Sequence, residues 1–208
     1  DFDYVVNLAV AKSGRWDKDL AANAESVGLL MAHCRDAKAF LHTSSAAVYD
    51  PPGDEPRSES AALGDNHKHL FPTYSISKIA GETVVRTMSR VLDLPTTIAR
   101  FNVPYGDNGG WPFYQMEMIL AGIPIPVPPG GPAQYNPIHE DDILAMLPKL
   151  LEAATVPATT VNWCGDQTVS LQEWCGYIGE LVGREPVFAE DPTALRGGPT
   201  DTTRMHEL

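Results

Sequence analysis

Tyr74-Ser75-Ile76-Ser77-Lys78 puts a phenol and an ammonium four residues apart, inside a run (75–90) whose pattern reads as helix. Residues at i and i+4 share one helix face. An ammonium beside a phenol favours the phenolate, so the pair predicts a Tyr74 pKa below the free value of about 10. Such a group suits proton transfer at a carbonyl or alcohol. Tyr and Lys also meet at this spacing on ordinary surface helices. The meaning of the pair therefore depends on what surrounds it in the chain.

Upstream, Tyr4-Val5-Val6-Asn7-Leu8-Ala9-Val10 is short, apolar and rich in β-branched residues, which predicts a buried strand. Residues 19–35 carry Leu20, Ala24, Val27, Leu30 and Met31 at helical spacing. Ala39-Phe40-Leu41-His42-Thr43-Ser44 predicts a second strand that ends in small hydroxyl residues. Residues 51–72 are polar, with Pro, Gly and charges, and are expected to form a surface loop. After the Tyr74 helix, Leu94-Pro95 is a break and Thr96-Thr97-Ile98-Ala99-Arg100-Phe101 predicts a third strand. Beyond Gly106 the texture changes. Gly109-Gly110 and residues 124–132 are dense in Gly and Pro, as loops around a site would be. Glu140-Asp141-Asp142 opens a helix reaching about residue 153, its acids placed where the helix dipole favours them. Val161-Asn162-Trp163 reads as a short strand. Ser170 and Glu173 form a capping box for helix 171–182, which Gly183 ends.

Strands alternating with helices imply an α/β fold with a parallel sheet covered on both faces. In such sheets the ligand crevice lies outside the carboxyl ends of the strands. Those ends are residues 9–12, 43–46 and 101–106, and all carry small or polar residues.

The chain has 208 residues, 43% of them hydrophobic, and a formal net charge of −12. That is long enough for one sizeable core. The acidic balance argues against nucleic acid and anionic membrane as partners. No apolar run approaches membrane-span length. Cys34, Cys164 and Cys175 are sparse and have no CxxC spacing, so they read as reduced thiols of a cytoplasmic protein and as small buried hydrophobes.

Taken in order, these segments resemble the extended short-chain dehydrogenase/reductases, the NAD-dependent epimerase/dehydratase family. Residues 3–10 resemble the family's fourth strand, which ends over the cofactor. Asn23, before Val27-Gly28-Leu29-Leu30, resembles the Asn of the next helix. Thr43-Ser44-Ser45-Ala46-Ala47-Val48-Tyr49 resembles the strand carrying the catalytic hydroxyl, at Ser45. Tyr74 and Lys78 match the catalytic pair. Arg100-Phe101-Asn102-Val103-Pro104-Tyr105-Gly106 resembles the turn around nicotinamide and substrate, and residues 138–142 resemble the opening of a substrate-region helix.

The resemblance implies a partial Rossmann-like doubly wound sheet with a small C-terminal substrate-binding region. Residues 1–106 would be the dinucleotide-binding part with the catalytic Ser, Tyr and Lys. Residues 107–208 would mainly bind substrate, with helix 140–153 and strand 159–163 as candidates to return to the core. It implies NAD or NADP as cofactor, NAD slightly favoured, held by Leu8, Ala9, Val10, Lys12, Asn23, Thr43, Ser44, Tyr74, Lys78, Phe101, Asn102 and Val103. It implies a homodimer through helices 19–35 and 75–90. No G-x-x-G-x-x-G turn occurs in the chain, so the expectation is that the Gly-rich N-terminal half and the C-terminal tail of the family are lacking.

In such a site Tyr74 would act as general acid in reduction and base in oxidation, Lys78 would lower its pKa and bind the nicotinamide ribose, and Ser45 would position the substrate oxygen. The alternative for Ser45 is to cap a local turn, which this constellation favours less than the catalytic role, and Lys12 could equally be a solvated loop lysine. His139 with Asp141 and Asp142 reads as helix capping and not as a metal site, and Trp163, Trp174 and Cys175 read as packing. The chain departs from sugar-nucleotide epimerases in three places. Val103 stands where they carry Asn. Ala133-Gln134-Tyr135-Asn136 stands where they carry a phosphate-gripping Arg. Ala46-Ala47 follow Ser45, where sugar dehydratases carry an acid. These departures favour a reductase or dehydrogenase acting on a less charged carbonyl or alcohol. A nucleotide-sugar epimerase and a non-catalytic cofactor-binding chain are the alternatives.

Overall fold

The computed structural model describes residues 2–50 and 55–208. The first part runs β1 (Tyr4–Asn7), α1 (Trp16–Leu20), a π-helical turn (Ala21–Glu25), α2 (Ser26–His33), β2 (Ala39–Ser45), α3 (Tyr74–Leu92) and β3 (Thr96–Phe101). A region of short elements follows: β4 (Pro104–Gly106), β5 (Gly109–Gly110), α4 (Trp111–Ala121), β6 (Ile125–Val127), β7 (Gln134–Tyr135) and β8 (Ile138–His139). Next come α5 (Glu140–Glu152) and β9 (Thr159–Trp163). The chain closes with β10 (Val169–Ser170), α6 (Leu171–Val182), β11 (Phe188–Glu190) and α7 (Thr203–Glu207).

The central sheet has the order β1-β2-β3-β9, and every pair in it is parallel. Side chains alternate between its faces, as the period of a strand requires. Phe40 and Ile98 join Val27, Met31 and Val85 on the face covered by α2 and α3. Leu41 and Ala99 join Leu150, Val161 and Trp163 on the face covered by α5. A third cluster, with Ile119, Ile125, Val127, Tyr135, Leu171 and Cys175, holds the short elements together.

The three long strands and the four main helices coincide with the segments read from the sequence, and the differences have local causes. β1 stops at Asn7 and not Val10, because the Asn7 carboxamide accepts a hydrogen bond from Ala9 N at 3.2 Å and turns the chain out of the sheet. The helix expected over 19–35 begins at Trp16 and contains the π turn. α3 ends where Asp93 adopts a left-handed conformation, φ 52°, ahead of Leu94-Pro95. Of the loop 51–72, residues 51–54 lie outside the described residues. The remainder is not all surface: the Glu59 side chain is only 7% exposed and accepts from Asn162 N at 2.8 Å. Helices α4 and α7 have no counterpart in the sequence reading, and neither have the short strands β4–β8, β10 and β11. At two or three residues each, the strands are too short for a period to show. No helix among the described residues is long and apolar enough to cross a membrane.

Candidate active site

The carboxyl ends of β1, β2 and β3 open onto a cavity of about 690 Å³. Ser45 is the last residue of β2 and Tyr74 the first of α3. The two hydroxyls border one cavity, and Ser45 acts to lower the Tyr74 pKa. Ser45 Oγ accepts from Ala47 N at 3.2 Å, so it caps the local turn while it borders the cavity. Lys78, one turn further along α3, is 2% exposed and donates to the Thr43 carbonyl at 2.6 Å.

Leu8, Val10, Lys12, Thr43, Ser44, Phe101, Asn102 and Val103 border the same cavity. Ala9 and Asn23 do not. Asn23 works from behind: it sits in the π turn, accepts from Ala11 N and donates to Ala11 O, both at 2.8 Å, and donates to Ser77 Oγ at 2.9 Å. It thereby ties the β1 end to α3. The π turn lies so close to α3 that a Cβ on Gly81 would collide with the Asn23 carbonyl oxygen. Ser44 borders the cavity, but its hydroxyl is committed to Glu82 at 2.6 Å.

The electrostatics differ from the expectation in one respect. Burial raises the Tyr74 pKa, and the Ser45 hydrogen bond only partly offsets this. Lys78 is held on Thr43 O and is not the group that sets the phenol. Phe71 and His67 pack on the Tyr74 ring, at 6.2 and 5.7 Å between centroids, and cover part of it. Burial lowers the Lys78 pKa to about 8, helped by Lys12 and opposed by Glu82. Lys12 lies over the rings of Tyr74 and Phe71, 4.6 and 4.9 Å from their centroids, and burial lowers its pKa also. His67 is pushed down to about 4 by burial, then by Lys12, so it is a neutral wall residue.

Asp19 is a positioning residue that the sequence reading missed. Its carboxylate is fully buried and accepts from Ser13 N, Ser13 Oγ, Gly14 N and Thr73 Oγ1. It pins the loop carrying Lys12 to the residue before Tyr74. Burial would raise its pKa, but the hydrogen bonds from Ser13, Thr73 and Gly14 hold it at about 2. Nothing local marks this role, because Thr73 is 54 residues away. His67, Phe71, Trp111 and Tyr114 were likewise missed, since each lies in a segment without strong periodicity.

Val103 borders the cavity with φ 44°. A β-branched residue in this left-handed region is an outlier costing about 1–3 kcal/mol. Neighbouring bonds hold it there: Ile138 N donates to Val103 O at 3.1 Å and Asn102 N donates to Trp163 O at 3.2 Å.

The stretch 133–136 forms internal bonds. Tyr135 donates to Leu195 O at 3.1 Å, and Asn136 accepts from Thr200 N at 2.8 Å. His139 caps α5 by accepting from Asp141 N at 3.2 Å. Trp163 and Cys175 are buried in the core, and Trp174 packs against Tyr135 and Trp111. Among the described residues no three His, Cys, Asp or Glu side chains group as metal ligands would.

The sequence matches the NAD-dependent epimerase/dehydratase family over residues 1–163. It is 26% identical over 168 residues to the uncharacterised protein y4nG of Sinorhizobium fredii, covering 80% of this chain and 39% of that protein. The chain thus spans about two fifths of the length of this curated relative. Among solved structures, the complex of MoeE5 with UDP-glucose and NAD is 22% identical, with a TM-score of 0.81 over 99% of this chain and 72% of that one. UDP-glucuronic acid 4-epimerase from Bacillus cereus, in complex with UDP-glucuronic acid and NAD, is 19% identical with a TM-score of 0.82, over 99% and 68%. The dTDP-glucose 4,6-dehydratase DesIV of Streptomyces venezuelae is 18% identical with a TM-score of 0.80, over 99% and 66%. At these identities the likeness is one of fold.

Proposed function

The chain belongs to the NAD-dependent epimerase/dehydratase family, and from that premise we propose that it works as an NAD(P)-dependent oxidoreductase on a carbonyl or alcohol, with Tyr74 as the general acid/base. The observation that carries this is the convergence of Ser45, Tyr74 and Lys78 on one cavity at the carboxyl ends of parallel strands.

The cavity floor fits the nicotinamide end of the cofactor. The Thr43 hydroxyl is buried without a partner among the described residues. The Lys78 ammonium has three donors, one of them used on Thr43 O. Lys78 and Thr43 would hold the ribose, and Leu8, Val10 and Phe101 would offer apolar surface to the ring. The NAD bound in the MoeE5 and B. cereus structures favours NAD over NADP. No Gly-rich turn is present in the 208 residues, so no residue of this chain is assigned to the pyrophosphate. On this reading residues 1–106 supply the cofactor side and catalytic groups, and residues 107–208 mainly the substrate side.

When bound, a reduced nicotinamide supplies the hydride that the carbonyl carbon accepts. The chain's own part is the oxygen. Ser45 and Tyr74 would hydrogen-bond it from two sides and fix its position. Burial keeps the Tyr74 phenol protonated and makes it a weaker acid than free tyrosine, so its proton transfer depends on charge placed nearby. It donates its proton as negative charge grows on the oxygen, leaving an alcohol and a tyrosinate. Lys12, 4.6 Å from the centre of the Tyr74 ring, would stabilise that tyrosinate.

Tyr74→Phe is expected to keep cofactor binding, read by NADH fluorescence, and to lose about 100-fold or more in turnover. Turnover close to wild type would refute the assignment. A nucleotide-sugar epimerase is the second reading, supported by family membership and by UDP-sugars bound to proteins of the same fold. Protection of this chain against heat by UDP-glucose would favour it. A non-catalytic cofactor binder fits less well, because the acid, its hydroxyl partner and the lysine are all kept. We also infer a homodimer through helices 19–35 and 75–90, where Leu29 and Ile76 are exposed. The three buried thiols support a cytoplasmic setting.

A further inference from the structure

A smaller chamber of about 230 Å³ adjoins the catalytic cavity, and Trp111, Tyr114 and Leu195 border both. Its other walls are largely apolar, with Met118, Ile125 and Leu171. Its polar groups are mostly engaged. Gln115 accepts from Trp174 Nε1 at 2.7 Å, and Asp191 accepts from Thr193 N at 2.8 Å and Thr193 Oγ1 at 2.7 Å. No lysine or arginine lines it, His69 is its one basic side chain, and its carboxylate, Asp191, would repel an anion. A diphosphate there would lose its hydration without gaining a matched cation.

The wall between chamber and catalytic groups tells the same story independently. Gly or Asn would take the backbone of residue 103 with little strain. The chain instead keeps Val there, in a conformation β-branched residues avoid, and so presents an apolar surface beside the reacting atoms.

We propose that the substrate is an uncharged carbonyl compound with an aryl or alkyl body. Its carbonyl lies between Ser45 and Tyr74, its chain passes Val103, and its apolar body fills the chamber behind Trp111 and Tyr114. This rests on the oxidoreductase reading for the reacting end only. The body-binding chamber is tested without turnover.

The probe is benzylacetone, a neutral arylalkyl ketone, titrated into the intact chain while tryptophan fluorescence is recorded. The quench is expected to saturate. Tyr114→Asp puts a charge on an exposed chamber residue, and Val103→Asn puts an amide on the wall. Each is expected to weaken binding about fivefold or more, a change of at least ~1 kcal/mol. Val103→Asn is also expected to hold or raise the thermal midpoint, which separates lost contact from lost fold. UDP-glucose is expected not to displace the ketone. Linear unsaturable quenching, equal affinity in both variants, or displacement by UDP-glucose would each overturn the proposal. Tyr74→Phe removes one hydrogen bond to the carbonyl, so ketone binding is expected to weaken by no more than about tenfold and the quench to remain saturable. Full turnover in that variant would sink the catalytic assignment while leaving the chamber assignment standing.

Discussion

Lys78 and Glu82 lie one turn apart on α3, both buried, and they differ in how completely they are matched. Glu82 receives Arg100 through Nε and Nη2, both at 2.8 Å, with Ser44 Oγ at 2.6 Å and Arg86 at 2.7 Å. Burial would raise its pKa, but the hydrogen bonds and charge of Arg100, with Ser44, hold it below the usual range. Lys78 has a neutral carbonyl as partner and is pushed down to about 8. A buried charge with every lone pair satisfied is fixed in one state and serves as scaffold. A buried charge with a thin set of partners can change state near neutral pH and serves chemistry.

The largest effect expected from this contrast is on the scaffold side. Arg100→Met leaves the Glu82 carboxylate buried without its main partner, which costs about 3–5 kcal/mol. For a chain of this size that is a fall of roughly 6–20 °C in thermal midpoint. Arg100 does not border the cavity, so turnover per folded molecule should hold. A midpoint unchanged from wild type would break the comparison.

A smaller effect sharpens it at low pH. Asp19 resembles Glu82 in being fully satisfied, and its folded pKa of about 2 lies below the ordinary 3.8. Its contribution to stability is therefore present above pH 3.8 and is lost as pH falls from there through about 2. Asp19→Asn should lower stability at neutral pH and flatten the acid limb of a denaturation profile. An identical acid limb in that variant would count against the latch between Ser13, Gly14 and Thr73.

The α/β framework was legible because its signals are long or chemically distinct. β-branched runs, the Leu94-Pro95 break and the Ser170–Glu173 box each act over neighbouring residues, and the structure realises all three. Tyr74 and Lys78 were legible for the same reason. What escaped depends on contacts across the fold. The depression of the Tyr74 pKa was expected from Lys78 alone, whereas the ring is partly covered by His67 and Phe71 from a loop with no pattern of its own. The Asp19 latch joins residues 54 apart. The strain at Val103 is a property of backbone held by Ile138 and Trp163, and no spacing in the chain announces it.

The contrast stands or falls on the ionisation of Lys78. Below pH 8 the folded amine carries its proton at a constant cost to stability. Between about 8 and the unfolded value of 10.5 the folded amine is neutral while the unfolded one still holds its proton, so stability should rise with pH across that window. The direct measurement is a carbon NMR titration of the Lys78 Cε resonance, assigned with Lys78→Arg. A midpoint near pH 8 is the predicted result, and a midpoint at the free-lysine value of about 10.4 would contradict the account.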